Sequence, residues 1–211
     1  MKRNGFTLLE MLVVIGIIAI LMGALSFGYA KMVKSSRKAK TQELVTNVAG
    51  ALTQLFQKSG GVWPKDIADE ARDGDGLLNA EACRPLARAG YLGLSYNQDA
   101  IRKNSSAQIK LTGPDRFGIV DPDTAKMLGA HKNAQLSTRV SSGGTVKDHI
   151  LHFAVDLDGA GFVKAKVEGA GELTIRATAV VWAAGPDGKV DYKTIGRNDD
   201  VYSWRPTQVK K

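Results

Sequence analysis

Cysteine is nearly absent from this chain, since Cys83 is the only one among 211 residues. One thiol excludes an intramolecular disulfide and leaves no second thiolate for a cysteine-based zinc site. Aromatic residues make up only 7% of the chain, yet the apolar share of 44% is too high for a disordered protein. A charged share of 24% argues against a polytopic membrane protein. The length allows one or at most two compact domains.

Recognisable catalytic motifs are missing as well. The sequence has no Gly-x-Ser-x-Gly motif, no glycine-rich phosphate loop and no Cys/His arrangement around Cys83. His149 and His152 flank a predicted strand on which they would face opposite sides, so they would not readily share a metal ion. Together with His131, they are expected at the surface or at sheet edges. We therefore predict that the protein is not an enzyme.

Positive charge exceeds negative charge, with a formal net charge of +8. Such a surplus suits nucleic acid or an anionic membrane only where the cations cluster. Residues 31–40 hold such a cluster, but no aromatic residues are interleaved with its cations. Nucleic acid binding is therefore not expected.

A long apolar run is present near the N-terminus. Residues Met11 to Ala30 carry no charge and would form ~30 Å of helix, which is the thickness of a bilayer core. Lys2 and Arg3 precede the run, so a cleaved secretory signal, an ordinary anchor and a specialised segment are all open at this point. The apolar stretch of a secretory signal is about 7–15 residues, and this run is longer.

A single carboxylate, Glu10, lies at the start of the run. A charge near the centre of a membrane helix costs roughly 2.5 kcal/mol or more, and less toward its end. Glu10 is therefore either solvated at the interface or paired. The string KRNGFTLLEMLVVIGIIAIL resembles the prepilin leader and N-terminal helix of type IV pilins and type II secretion pseudopilins. The resemblance implies that prepilin peptidase cleaves after Gly5 and that the new amino group of Phe6 is methylated.

This arrangement has a physical logic for assembly. Cleavage leaves a positive amine on Phe6 in a medium of low dielectric constant, and Glu10 of a neighbouring subunit would neutralise it when helices stagger into a bundle. A buried pair of this kind sets the register between subunits.

The apolar run continues into an amphipathic segment without proline. Leu44, Val48, Leu52 and Leu55 recur at spacings of three and four, and Gly60-Gly61 ends the pattern. We predict one helix from Phe6 to Lys58 and the lollipop shape of pilins. The predicted divisions are a leader (1–5), a transmembrane and assembly helix (6–30), its amphipathic continuation (31–58) and a periplasmic α+β domain (59–211).

The cations after the apolar run bear on topology. Counted by the positive-inside rule, they place the C-terminal part in the cytoplasm. The resemblance implies the opposite, a single-pass protein of the bacterial inner membrane with a periplasmic C-terminal domain that is extracted into a periplasmic filament. The cations are Lys31, Lys34, Arg37, Lys38 and Lys40.

The C-terminal part predicts a small antiparallel sheet. Ile150–Val155 and Gly161–Val167 favour a hairpin, and Leu173–Ala183 a third strand. The stripe on the long helix would cover the apolar face of the sheet. Asn79–Gly90 favours a short helix, and residues 97–147 indicate no element boundaries.

The segment from Ala184 to Trp204 resembles the C-terminal loop of the major, G-type pseudopilin of type II secretion systems. In that family the loop holds calcium, and oxygen ligands from carboxylates and backbone carbonyls suit this ion. An ordinary Pro-Asp-Gly turn with a solvated acidic tip is the alternative. An acidic cluster at residues 73–76 is interpreted as a turn. The candidate ligands are Asp187, Asp191, Asp199 and Asp200.

The resemblance implies a mechanical function as a subunit of a type II secretion pseudopilus. Its implied partners are copies of itself, minor pseudopilins, prepilin peptidase and the inner-membrane secretion platform. A type IV pilin for adhesion, motility or DNA uptake is the alternative of the same shape. A membrane-anchored periplasmic enzyme or binding module is the alternative of another class.

Overall fold

The computed structural model describes residues 7–98, 108–141, 143–185, 189–190 and 200–210. The chain forms two compact units, Met1–Arg37 and Lys38–Lys211. Its long N-terminal helix and antiparallel sheets make it an α+β protein, as the sequence predicts. Within the described residues, the helices are α1 (Leu8–Lys58), α2 (Lys65–Glu70), α3 (Arg84–Arg88) and α4 (Pro122–Ala130), with 3-10 turns at Gly113–Phe117, Val146–His149 and Pro206–Gln208.

Helix α1 ends where the sequence predicts. Its last residue is Lys58, and Gly60 and Gly61 follow with positive φ angles of 72° and 81°. Glycine adopts this left-handed conformation without a steric penalty, which terminates the helix. The predicted first residue, Phe6, lies outside the described residues.

The strands form two sheets rather than the single sheet of the prediction. The four-stranded sheet has the order β1-β2-β5-β6, and β3 and β4 form a separate pair. All strand pairs in the described ranges are antiparallel. The strands are β1 (Gly76–Leu77), β2 (His152–Val155), β3 (Val163–Val167), β4 (Gly171–Ile175), β5 (Ala179–Ala183) and β6 (Val201–Tyr202).

The predicted hairpin between Ile150–Val155 and Gly161–Val167 is therefore wrong. Strand β2 pairs with β1 and β5, so both of its edges are occupied, and β3 pairs with β4 instead. The predicted strand Leu173–Ala183 is also wrong as a single element. It divides into β4 and β5, which belong to different sheets, and a bend at residues 176–178 separates them.

The predicted stripe on α1 covers the four-stranded sheet. Val48 and Leu52 are fully buried, Leu55 is buried, and Leu44 packs against the same core from a half-buried position. Phe153 of β2 and several residues of β5 complete this cluster. The prediction that α1 shields the sheet from water is confirmed.

The predicted helix Asn79–Gly90 is shorter than expected. Its helical part is α3, Arg84–Arg88, and Asn79 caps a preceding turn by accepting hydrogen bonds from the backbone N–H groups of Glu81 and Ala82, both at 2.9 Å. Pro85 stands at the first turn of α3, where its missing N–H is not needed. Gly90 follows the helix with a φ of 75°.

Residues 97–147, for which the sequence indicates no elements, contain helix α4. Asp121 caps it by accepting backbone hydrogen bonds from Asp123 at 3.0 Å and Thr124 at 3.2 Å, and Pro122 follows the cap. Arg116 holds the other end of α4. Its guanidinium donates to the carbonyls of Leu128, at 3.3 Å, and of three further residues in the surrounding turns.

Candidate functional site

The N-terminal part of α1 exposes its apolar side chains on every side. The exposed fraction is 84% for Leu8, 75% for Ile20 and 64% for Met22. A helix that is apolar all round is stable only when lipid or other apolar helices surround it. We call residues 8–22 the apolar segment. Its large exposed residues are Leu8, Leu9, Met11, Leu12, Val13, Val14, Ile15, Ile17, Ile18, Ile20, Leu21 and Met22.

The prediction of a membrane-spanning helix over 6–30 is not confirmed. Within the described part of the chain, no helix combines the length and the apolarity that a bilayer crossing requires. The single-pass topology stays a prediction.

Glu10, the predicted assembly residue, makes local contacts at the start of α1. Its Oε2 accepts hydrogen bonds from the backbone N–H and the hydroxyl of Thr7, both at 2.9 Å. In return, the Glu10 N–H donates to the Thr7 hydroxyl at 3.2 Å. These contacts form a capping box, which satisfies two N–H groups that helix formation leaves without partners. Glu10 is exposed, so its carboxylate is accessible to a second molecule.

The predicted processing residues Gly5 and Phe6 lie outside the described residues, directly before this capping box. Residues 1–26 match the family model of the prokaryotic N-terminal methylation motif. The chain carries a prepilin-type N-terminus. This motif supports a type IV pilin-like precursor that prepilin peptidase processes and that polymerises. It does not distinguish a pseudopilus subunit from a pilus subunit. No curated protein and no solved structure matches the chain.

The structure describes the predicted calcium loop only at its two ends. Asp200 is buried, with one oxygen accepting from the Gly185 N–H and the other from the Tyr202 hydroxyl, both at 3.0 Å. Asp200 thereby joins the two ends of the loop. Asp187, Asp191 and Asp199 lie outside the described residues. Among the described residues, no three His, Cys, Asp or Glu side chains converge on a metal position.

The acidic cluster at residues 73–76 turns at Asp73 and Gly74, as the sequence predicts, and enters β1 at Gly76. Gly74 has a φ of 78°, and its carbonyl accepts a hydrogen bond from the Lys166 N–H at 2.8 Å. A Cβ at this position would lie 2.7 Å from the Lys164 carbonyl oxygen. The turn before β1 therefore packs against the backbone of β3.

His149 precedes β2 and His152 is its first residue, and the two histidines have different partners. The exposed pair joins His152 Nδ1 and Asp75 Oδ1 at 2.6 Å. His149, expected at the surface, is instead buried, and its Nδ1 lies 3.0 Å from Asp121 Oδ2. This contact is an ion pair by distance rather than a well-aligned hydrogen bond. In the sequence, only the Asp121-Pro122 helix cap indicates that one member of the His149–Asp121 pair is fixed in place.

Both ring nitrogens of His149 face acceptors. Its Nε2 lies 2.8 Å from the Gly143 carbonyl oxygen, opposite the Asp121 carboxylate. A neutral imidazole has one N–H and would satisfy only one of these contacts, whereas the imidazolium satisfies both. Burial lowers the pKa of His149, but Asp121, the Gly143 carbonyl and the charge of Asp148 outweigh burial and raise the pKa above 6.5. Burial raises the pKa of Asp121, and its contacts with His149 and Thr124 lower it below 3.8.

The pair therefore predicts a pH-dependent stability. The contribution of His149 is complete below pH 6.5 and is lost as the pH rises through the raised pKa of the folded state. The contribution of Asp121 is present above pH 3.8 and is lost as the pH falls through its lowered pKa. We expect His149→Gln to cost about 3 kcal/mol of unfolding free energy near pH 5.5 and clearly less near pH 9, as measured by urea denaturation.

His131→Gln is the control, because His131 is exposed. Its cost is expected to be near zero. A cost of His149→Gln that is equal at both pH values would contradict the titration of this pair.

Proposed function

We propose that the protein is a structural subunit of a periplasmic type II secretion pseudopilus. The precursor is cleaved by prepilin peptidase between Gly5 and Phe6, and the mature chain polymerises through its N-terminal helix to drive protein export. Its role is mechanical rather than enzymatic. The observation that carries the proposal is the all-round exposure of the apolar segment at a prokaryotic methylation motif.

The apolar segment has the features that helix packing requires. Removing a large aliphatic side chain from water gains about 1.5–3 kcal/mol, so this segment favours lipid before assembly and neighbouring helices afterwards. Within lipid, helices associate through close backbone approach and polar pairing. A Cβ added at Gly16 or Gly23 would meet no atom within 4 Å, so a neighbouring helix has room to approach at both positions.

Glu10 supplies the polar pairing in this proposal. Its carboxylate pairs with the Phe6 amine of the neighbouring subunit, which fixes the axial stagger of the helices. An uncompensated carboxylate in the bilayer is unfavourable, so any other stagger is penalised.

The proposed location rests on the methylation motif at residues 1–26. Residues 6–30 anchor the subunit in the bacterial inner membrane with the C-terminal domain in the periplasm, and the subunit later leaves the membrane for the filament. Copies of the same chain, minor pseudopilins and the inner-membrane secretion platform are the proposed partners.

Protein export and surface pili, measured in cells that lack the protein, distinguish a pseudopilus role from a pilus role. Loss of the protein from its own cells is expected to stop the export of folded periplasmic proteins while surface pili persist. Loss of surface pili with normal export would instead assign the protein to a type IV pilus. Complementation with the wild-type chain serves as the control in both assays.

We also propose that the C-terminal loop binds calcium through Asp187, Asp191, Asp199 and Asp200. The donor set fits, because calcium takes six to eight oxygen ligands. Asp200, the described member, is a buried carboxylate that joins both ends of the loop. Four carboxylates within one short loop repel each other without a cation. One cysteine cannot close the loop by a disulfide, so an ion is a suitable substitute.

Calcium is therefore expected to stabilise the C-terminal domain. At a hundred times the dissociation constant, calcium adds about 2.7 kcal/mol, which corresponds to a rise of about 5–10 °C in melting temperature. Melting in calcium and in EGTA measures this rise. Asp187→Asn combined with Asp191→Asn should abolish the rise, and Asp158→Asn in the exposed turn before β3 should preserve it. Identical melting curves for the wild type in calcium and in EGTA would refute calcium binding.

A further inference from the structure

A groove with cationic edges lies within the Lys38–Lys211 unit, remote in sequence from the apolar segment. The end of α1, the start of α2, helix α3 and residues 108–109 enclose about 720 Å³. This volume lies in the ordinary range of binding clefts. We call this cleft the basic groove.

The floor of the basic groove is apolar. Leu55 and Ile109 line it and are only 5% and 2% exposed. Pro64 and Pro85 border them and are half-buried. Proline restricts the backbone at both positions, so the shape of the floor is defined before a partner binds.

The edges of the groove are cationic. Among the described residues, Lys58, Lys65, Arg84 and Arg88 line the groove as cations, and Asp66 is the one lining carboxylate. Arg84 is held in place by Glu81, whose Oε1 lies 2.9 Å from its guanidinium. Lys65 and Arg88 are exposed, and neither forms an ion pair with a residue in the described ranges.

The apolar floor and the cationic edges together restrict the kinds of ligand that the groove can bind. A free inorganic anion would pair with the cations but would leave the apolar floor in contact with water. A purely apolar segment would cover the floor but would leave the cations unpaired. A peptide with an apolar side chain between carboxylates satisfies both, and arginine binds carboxylates in a bidentate geometry.

We propose that the basic groove docks an acidic segment of a partner protein, with an apolar side chain on the floor and carboxylates at Lys65 and Arg88. This inference does not depend on the filament role, because the residues involved are separate from the apolar segment. Steering by the four cations would make association faster at low ionic strength.

Fluorescence anisotropy with the full-length protein in a neutral detergent tests the proposal. The probes are a fluorescein-labelled peptide of alternating glutamate and leucine and its glutamine counterpart. The glutamate peptide is expected to bind at least tenfold more tightly, with an affinity that falls as salt rises. Arg88→Glu and Lys65→Glu are each expected to weaken this binding about tenfold, and Arg88→Gln to weaken it less.

Lys126→Glu on α4 is the matched control, because it makes the same charge change at an exposed residue outside the groove. It is expected to leave binding within twofold of wild type. Equal losses in Lys126→Glu and Arg88→Glu would overturn the proposal, since attraction would then depend on total charge alone. Self-association of the unlabelled protein that Arg88→Glu abolishes would also overturn it and would assign the groove to a second copy of this chain.

Discussion

A Gly118→Ala variant is expected to lose about 3–5 kcal/mol of the free energy of unfolding. Gly118 has a φ of 115°, which side chains rarely adopt, and an added Cβ would lie 2.0 Å from the backbone oxygen of Leu78. That oxygen also accepts the Ile119 N–H at 2.9 Å, so the two backbones cannot separate without losing a hydrogen bond. Most domains have only 5–15 kcal/mol in total, so this loss removes a large share of the stability.

Circular dichroism during urea and thermal denaturation measures this loss. Gly113→Ala is the matched control, since Gly113 also has a positive φ, of 60°, but open space around its Cβ position. The control is expected to cost about 1 kcal/mol, from backbone strain alone. Equal costs in the two variants would show that the close approach to Leu78 does not limit stability.

A Glu10→Ala variant is expected to insert into the membrane normally and to form no filaments. It removes both the capping partner of Thr7 and the charge that we propose for the neighbouring Phe6 amine. The two effects differ in size. Loss of a helix cap costs about 1 kcal/mol, whereas an amine left unpaired in the bilayer costs several kcal/mol at every subunit contact.

Two further variants separate the roles of Glu10. Glutamine at residue 10 keeps an acceptor for the capping box but carries no charge, and Thr7→Ala removes the cap but keeps the charge. We expect Glu10→Gln to abolish assembly and Thr7→Ala to reduce it only modestly. Membrane fractionation measures insertion, and electron microscopy of filaments released from the periplasm measures assembly. Normal filaments from Glu10→Gln would refute the charge pair.

The sequence predicts those parts of the fold that depend on local pattern. The spacing of Val48, Leu52 and Leu55 places them on one face of a helix. Gly60 ends the helix because glycine readily adopts a positive φ. Neither feature depends on distant residues. The same holds for the turn at Asp73–Gly74, where the chemistry of the turn lies within a few neighbouring residues.

Strand pairing depends on distant residues and is predicted less well. The residues that follow Asp156 favour a hairpin locally. Asp156 stabilises this turn by accepting hydrogen bonds from the Ala160 N–H at 3.1 Å and the Gly161 N–H at 2.6 Å. Both edges of β2, however, are occupied by β1 and β5. A pattern of alternating residues specifies which face of a strand is buried but does not specify its partner.

The candidate sites also differ in whether they depend on a local pattern or on distant residues. The assembly residue Glu10 is recognisable because its spacing from Gly5 and Phe6 is part of a short linear motif. The His149–Asp121 pair joins residues 28 positions apart across two elements, and histidine alone does not indicate burial. The Asp-Pro-Asp-Thr cap of α4 is a sequence signal for one half of this pair, and the other half follows only from the tertiary structure.

The most direct test of processing and filament assembly is the intact mass and N-terminal sequence of the protein purified from its own membrane. We expect a chain that begins at Phe6 and carries one methyl group on its amine. An intact chain beginning at Met1, or a chain cut near Ala30, would contradict processing by prepilin peptidase and with it the proposed assembly of this protein into a filament.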